Sequence, residues 1–181
     1  MTVVLQGAER LDGGAGPVAY RDGRFVAPDT GARTVDVGGL GLAPGYVDLQ
    51  VNGAAGADLT SDPGTVWDVA ASVAAWGVTA FLPTLVSPGD EVVGRLAAVL
   101  ADGPPPGWRG AVPLGIHAEG PYLAVDRRGT HPAGALRSPV PVDAGAWDPA
   151  VRLVTIAPEL PGALAAVRAL TAAGVVVSLG H

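Results

Sequence analysis

An α/β fold of barrel type, preceded by a small β lobe, is what this sequence predicts, and three observations carry the prediction. From Pro44 onward, short apolar runs rich in β-branched residues alternate with amphipathic stretches of helical period, the pattern of parallel strands joined by helices. Residues 1–43 instead string short β-type runs between glycine-rich turns. Finally, neither GxGxxG nor GxxxxGK[ST] follows any predicted strand, so the phosphate-cradling turn of an open nucleotide-binding sheet is missing and a barrel is the better reading.

Within the lobe, strands are expected over Val3 to Leu5, Arg24 to Val26 and Thr34 to Val37, separated by turns such as DGGAG and DTGAR. Residues 44–181 then repeat a strand and helix cycle. The first strand is YVDLQVNG. A helix follows with Asp62 as N-cap and Pro63 at its first position; Val66, Val69, Ala70 and Val73 share one face, and Gly77 lies past its end. The second strand is VTAFLPTLV. Ser87-Pro88-Gly89-Asp90 reads as a capping box, with Ser87 as N-cap of a helix carrying Val92, Val93, Leu96, Val99 and Leu100. A Pro/Gly linker, DGPPPGWRG, leads to the third strand, AVPLGIHAEG, and then to an irregular loop over about residues 122–149. VRLVTIAPE is the fourth strand, residues 161–173 form a helix closed by Gly174, and VVVSLGH is the fifth strand.

Composition narrows the function classes. With 181 residues, 49% hydrophobic and 15% charged, the chain can bury a sizeable core as one domain plus a small lobe. Its net charge is −6 and it has no run of lysines or arginines, so the electrostatic footprint of a nucleic-acid or anionic-membrane binder is missing. Having no cysteine, it has no disulfide or thiolate metal ligand, and a metal would have to use oxygen and imidazole. A basic leader followed by an apolar stretch is absent from the N-terminus, and no window of 18 apolar residues follows; a soluble, cytoplasmic protein is expected.

Barrel enzymes gather their chemistry at the C-terminal ends of strands. That rule singles out Asp48, Gln50 and Asn52, His117 and Glu119, Glu159, and His181. Glu119 and His181 end strongly apolar strands, where an uncompensated charge or imidazole is expensive to bury. A divalent metal would compensate both, and a structural carboxylate beside an ordinary strand-end histidine is the alternative. Glu159 reads as a structural carboxylate and Arg127 and Arg128 as solvated loop cations. The four tryptophans are scattered and form no stacking stripe.

Six segments occur in an order and spacing that resembles a known family: PGYVDLQVNGAAGADL, GVTAFLPTLVS, LGIHAEGPYL, RRGTHPAGALR, TIAPE and VSLGH. The family is N-acetylglucosamine-6-phosphate deacetylase, in the amidohydrolase superfamily. The resemblance runs from about Pro44 to the last residue and is most specific in HAEGPYL and RGTHPAGALR. It implies a metal-dependent (β/α)8 TIM barrel, of which about five strands are present, with a small β-sandwich lobe built from segments before and after the barrel.

The implied reaction is hydrolysis of the acetamide of N-acetylglucosamine 6-phosphate to glucosamine 6-phosphate and acetate, in amino-sugar catabolism and cell-wall recycling. Carried over residue by residue, Glu119 and His181 resemble metal ligands. Thr130 and His131 match the stretch that touches the sugar, with His131 a hydrogen-bond donor to it. His117, two residues before Glu119 and so on the same face of its strand, reads either as supporting the ligands or as simply packed and hydrogen-bonded there. Gln50 and Asn52 occupy positions where many amidohydrolases carry His-x-His, so the likeness is to the branch with one divalent metal, zinc ahead of iron. The family also implies an amino-sugar phosphate as partner, a homodimer at full length, and no nucleic-acid or membrane partner. Its second metal histidine, its general-base aspartate and its phosphate-binding groups are expected beyond residue 181. No catalytic residue is therefore assigned within this chain, and the chain alone is expected to be inactive. A fragment that dimerises or binds sugar phosphate without catalysis, and an amidohydrolase of another N-acyl sugar, are the alternative expectations.

Overall fold

The computed structural model describes residues 1–140 and 147–181, so positions 141–146 of the expected long loop lie outside the described residues. The chain divides into two units, Met1–Gly45 and Tyr46–His181. In the first, strands β1 (Val3–Gln6), β2 (Val18–Arg21), β3 (Arg24–Val26) and β4 (Arg33–Asp36) form a sheet in the order β3-β2-β1-β4. Its β2 strand is absent from the sequence expectation, although Asp22-Gly23, with φ values of 51° and 73°, is the two-residue hairpin turn that joins it to β3. Val4 and Ala19 are the buried apolar residues of this sheet.

The second unit is a parallel half-barrel sheet. It contains β5 (Tyr46–Val51), β6 (Val78–Val86), β7 (Val112–Pro113), β8 (Ile116–Glu119), β9 (Val151–Ile156) and β10 (Val176–Leu179). The long β6 strand pairs with β5 on one side and with β7 and then β8 on the other, β8 pairs with β9, and β9 with β10, all in parallel. Strands β7 and β8 are the two halves of the predicted third strand, interrupted at Gly115. Its φ is 131°, and a Cβ there would stand 2.3 Å from Arg152 Cγ and 2.7 Å from the Ala150 carbonyl oxygen, so only glycine fits the break.

Helices α1 (Val66–Ala74), α2 (Asp90–Asp102) and α3 (Ala163–Ala172) cover one face of this sheet. The predicted stripe of α1, Val66, Val69, Ala70 and Val73, is buried in full, as are Val93 and Leu96 of α2. Asp62 caps as expected through its side chain, accepting from the Gly64 N–H at 3.1 Å, but what it caps is a 3-10 turn, Pro63–Thr65, ahead of α1. One expectation is corrected outright: Ser87 caps no helix. Helix α2 starts at Asp90 with Gly89 in the cap position, because Ser87 turns the backbone to φ 41° and directs its hydroxyl elsewhere.

Register assigns the two faces. Leu85, Ala118, Val154 and Val177 lie side by side and belong to the apolar core with the helices. One residue out of phase, Thr84 pairs with His117, and Val86, Glu119, Thr155 and Ser178 form the next row on the opposite face. The sheet thus carries its apolar residues toward the helices and its polar ones toward the interior of the curve. Among the described residues, the outer strands β5 and β10 each have one neighbour, and Tyr46, Val47, Leu49, Val176 and Leu179 on them are exposed.

Candidate metal centre

Glu119 is the last residue of β8, which projects its carboxylate from the polar face at the C-terminal end of the sheet. The chain then breaks at Gly120, whose φ of 81° and cis bond to Pro121 lead into the following loop. A Cβ at Gly120 would approach Ser87 Oγ to 2.9 Å and Leu123 Cδ1 to 3.1 Å. Gly120→Ala therefore combines left-handed strain with a clash, and it is expected to lower the unfolding free energy by about 2 kcal/mol, read as a lower urea midpoint at unchanged slope.

Three side chains converge beyond that break. One ligand atom from each of Glu119, His131 and His181 lies within 4.8 Å of the others. His181 Nε2 stands 3.1 Å from Glu119 Oε1, His131 Nε2 stands 3.6 Å from Glu119 Oε2, and the two rings meet edge to face with centroids 4.9 Å apart. Glu119 and His131 are buried and His181 is half-buried. Burial pushes the His131 pKa down against the opposing pull of the Glu119 charge.

Separate parts of the chain hold these groups in place. The His181 backbone accepts from the Ala124 N–H at 3.1 Å, and the Gly180 N–H donates to the Ile156 carbonyl at 3.1 Å, tying β10 to its neighbours. His131 rests on a turn in which its N–H donates to the Arg128 carbonyl at 3.1 Å. Asn52, just past β5, donates from Nδ2 to Glu119 Oε2 at 3.5 Å, so both carboxylate oxygens have partners.

The partners of His181 also reveal what the site needs. Its Nδ1 is 3.0 Å from the Arg127 carbonyl oxygen, and a carbonyl only accepts, so Nδ1 carries the hydrogen. In the neutral ring Nε2 is then a lone pair aimed at a carboxylate oxygen 3.1 Å away. A proton on Nε2, or a metal ion beside the two groups, satisfies this pair. One carboxylate and one or two imidazole nitrogens, with the far side of a histidine tied to a backbone carbonyl, form a donor set that suits a divalent metal ion such as zinc.

His117 shares the polar face but points into the sheet. Its Nδ1 lies 3.1 Å from the Leu49 carbonyl and 3.1 Å from Thr84 Oγ1, and its Nε2 lies 2.8 Å from Thr155 Oγ1. The Thr84 hydroxyl spends its hydrogen on the Leu82 carbonyl at 3.0 Å and accepts from the Val51 N–H at 3.1 Å. The consistent assignment is therefore Nδ1–H donating, with Nε2 accepting from Thr155. Burial lowers the His117 pKa, which favours this neutral form.

Other residues singled out in the sequence lie outside the cluster. Gln50 is exposed, and its backbone N–H donates to Asp48 Oδ1 at 3.0 Å. Thr130 is exposed beside the buried His131. Glu159 and Arg127 line an open cleft of about 630 Å³ that His181 also borders. No helix among the described residues is long and apolar enough to cross a membrane.

Comparison with known proteins gives these positions a context. No family model matches the chain. It is 43% identical over 160 residues to the human N-acetylglucosamine-6-phosphate deacetylase, covering 81% of this chain and 38% of that one. To the Vibrio furnissii enzyme of the same name it is 33% identical, with 83% and 39% covered. It is also 34% identical to the N-acetylgalactosamine-6-phosphate deacetylase of Escherichia coli O157:H7, with 77% and 38% covered. The chain thus spans well under half the length of these curated relatives. Among solved structures, a mutant N-acetyl-D-glucosamine-6-phosphate deacetylase from Mycobacterium smegmatis, in complex with N-acetyl-D-glucosamine 6-phosphate, matches with a TM-score of 0.80 and 32% identity, over 99% of this chain and 50% of that one. The Pasteurella multocida enzyme matches in fold with a TM-score of 0.82 at 22% identity, over 100% of this chain and 51% of that one.

Proposed function

From the premise that this chain is homologous to the N-terminal part of the N-acetylglucosamine-6-phosphate deacetylases, we propose that it forms the metal-holding part of an enzyme hydrolysing the acetamide of N-acetylglucosamine 6-phosphate. The observation that carries the reading is the His181 ring, whose Nδ1 is committed to the Arg127 carbonyl while Nε2 faces Glu119 Oε1 at 3.1 Å. In this reading Glu119 and His181 hold one divalent ion, zinc by the chemistry of the donors. When bound, such an ion lowers the pKa of its water and polarises the amide carbonyl.

The chain's own residues prepare that site. Asn52 orients the carboxylate through Oε2, and the Arg127 carbonyl holds the His181 ring in the tautomer that leaves Nε2 free to ligate. His131 presents Nε2 beside the carboxylate as a hydrogen-bond donor to the sugar substrate, with Thr130 next to it at the surface. A second histidine ligand, an aspartate base and the phosphate-binding groups come from the remainder of a (β/α)8 barrel, whose strands add to the edges of β5 and β10. Residues 1–43 contribute to the β-sandwich lobe and residues 44–181 to the barrel. The full-length protein is a homodimer of the cytoplasm.

A chimera tests this directly. Fusing this chain to the C-terminal half of the Mycobacterium smegmatis deacetylase is expected to release acetate from N-acetylglucosamine 6-phosphate. Neither the 181-residue chain alone nor the Glu119→Gln chimera should do so. A folded, zinc-loaded chimera that releases no acetate would sink the proposal. Running N-acetylgalactosamine 6-phosphate in parallel identifies the preferred sugar.

A further inference from the structure

Ser87 sits where a helix cap is expected and serves as none. It is 7% exposed, and its backbone is held at φ 41°, a region that non-glycine residues occupy when their surroundings demand it. Two hydrogen bonds supply that demand. The Ser87 N–H donates to the Glu119 carbonyl oxygen at 2.7 Å, and Ser87 Oγ lies 2.8 Å from His131 Nδ1. One residue at the end of β6 therefore grips the backbone of the carboxylate donor and the ring of the neighbouring histidine. Gly120 leaves room for this, since any Cβ there would crowd Ser87 Oγ.

The direction of the bond to His131 follows from what faces the other side of the ring. A neutral imidazole has one N–H and one lone pair. Nε2 lies 3.6 Å from Glu119 Oε2, and a carboxylate, which only accepts, favours the nitrogen that bears the hydrogen. Nδ1 is then the acceptor, and the Ser87 hydroxyl has to donate. Resting on the function proposed above, we infer that Ser87 is a positioning residue: its Oγ–H donates to His131 Nδ1 and locks the imidazole in the tautomer that presents Nε2–H to the Glu119 carboxylate and the sugar.

The test reads the ring nitrogens of His131 by ¹⁵N-resolved NMR in the 181-residue chain, freed of metal with a chelator. Wild type is expected to show a protonated Nε2 and a bare Nδ1. Ser87→Gly removes the hydroxyl while accepting a positive φ, so it should fold whether or not Ser87→Ala does. It is expected to lose the single tautomer and show a mixture of the two. A wild-type ring protonated at Nδ1, or a Ser87→Gly ring indistinguishable from wild type, would overturn the inference. Because the readout uses neither sugar nor metal, an inactive chimera with a responsive His131 points to failure of the functional reading alone. An active chimera with an unresponsive His131 points to failure of the positioning role alone.

Discussion

Glu119→Gln is expected to weaken zinc binding by this chain at least about 100-fold, measured by equilibrium dialysis at fixed pH, because it removes the negative charge from the centre of the cluster. Glutamine keeps the length and shape of the side chain, and its amide oxygen can still accept from Asn52, so the loss would report charge and ligation and not collapse of the site. His181→Ala should have a comparable effect through the loss of Nε2, which stands 3.1 Å from Glu119 Oε1. His131→Gln separates the two roles open to that residue. If His131 is a donor to the sugar, as proposed, its substitution leaves zinc affinity within a few-fold of wild type. A loss as large as that of Glu119→Gln would make it a third ligand instead. Zinc affinity unchanged in all three variants would remove the metal centre altogether.

The second large effect falls on stability. His117→Leu is expected to lower the unfolding free energy by about 3 kcal/mol, seen as a fall in the urea midpoint. Leucine fills a similar volume, so the cost is chiefly polar. The Thr155 hydroxyl loses the nitrogen it donates to at 2.8 Å, and the Leu49 carbonyl loses its donor at 3.1 Å. The partners of His117 sit in three strands that it joins, Leu49 in β5, Thr84 in β6 and Thr155 in β9, with His117 itself in β8. A buried donor or acceptor left unmade costs more than the hydrogen bond contributes when formed. Adding Thr155→Val to His117→Leu should recover part of the loss, because the unmade hydroxyl is removed with its partner. A double variant no more stable than His117→Leu would show that the Thr155 bond contributes nothing to this cost.

Much of the second unit was legible because burial imposes a period on sequence. Alternating apolar runs marked all five strand positions, and the stripe Val66, Val69, Ala70 and Val73 marked the buried face of α1, since a helix or strand that hides one face must repeat. The lobe was less legible. Its strands are four residues or shorter, too brief for a period to stand out, and the local signal for β2 is the Asp22-Gly23 turn that follows it. Ser87 departs from its expected capping role for a different reason. Serine before Pro-Gly-Asp is a fair local signal for a cap, and nothing local reveals that a histidine 44 positions later takes up the hydroxyl.

The site divides along the same line. Sequence alone determined that Glu119 ends an apolar strand and that His181 follows one, which stops at Leu179, that thiolate ligands are excluded, and that the chain resembles a deacetylase family, because each of these is written in residue type and order. Only the tertiary structure decided that residues 62 positions apart bring Oε1 and Nε2 to 3.1 Å, that the Arg127 carbonyl settles which His181 nitrogen bears hydrogen, and that Asn52 reaches the carboxylate while Gln50 faces solvent. Ligand geometry and hydrogen placement depend on distances between segments far apart in the chain, and parallel strands acquire those distances only when their register is set by packing.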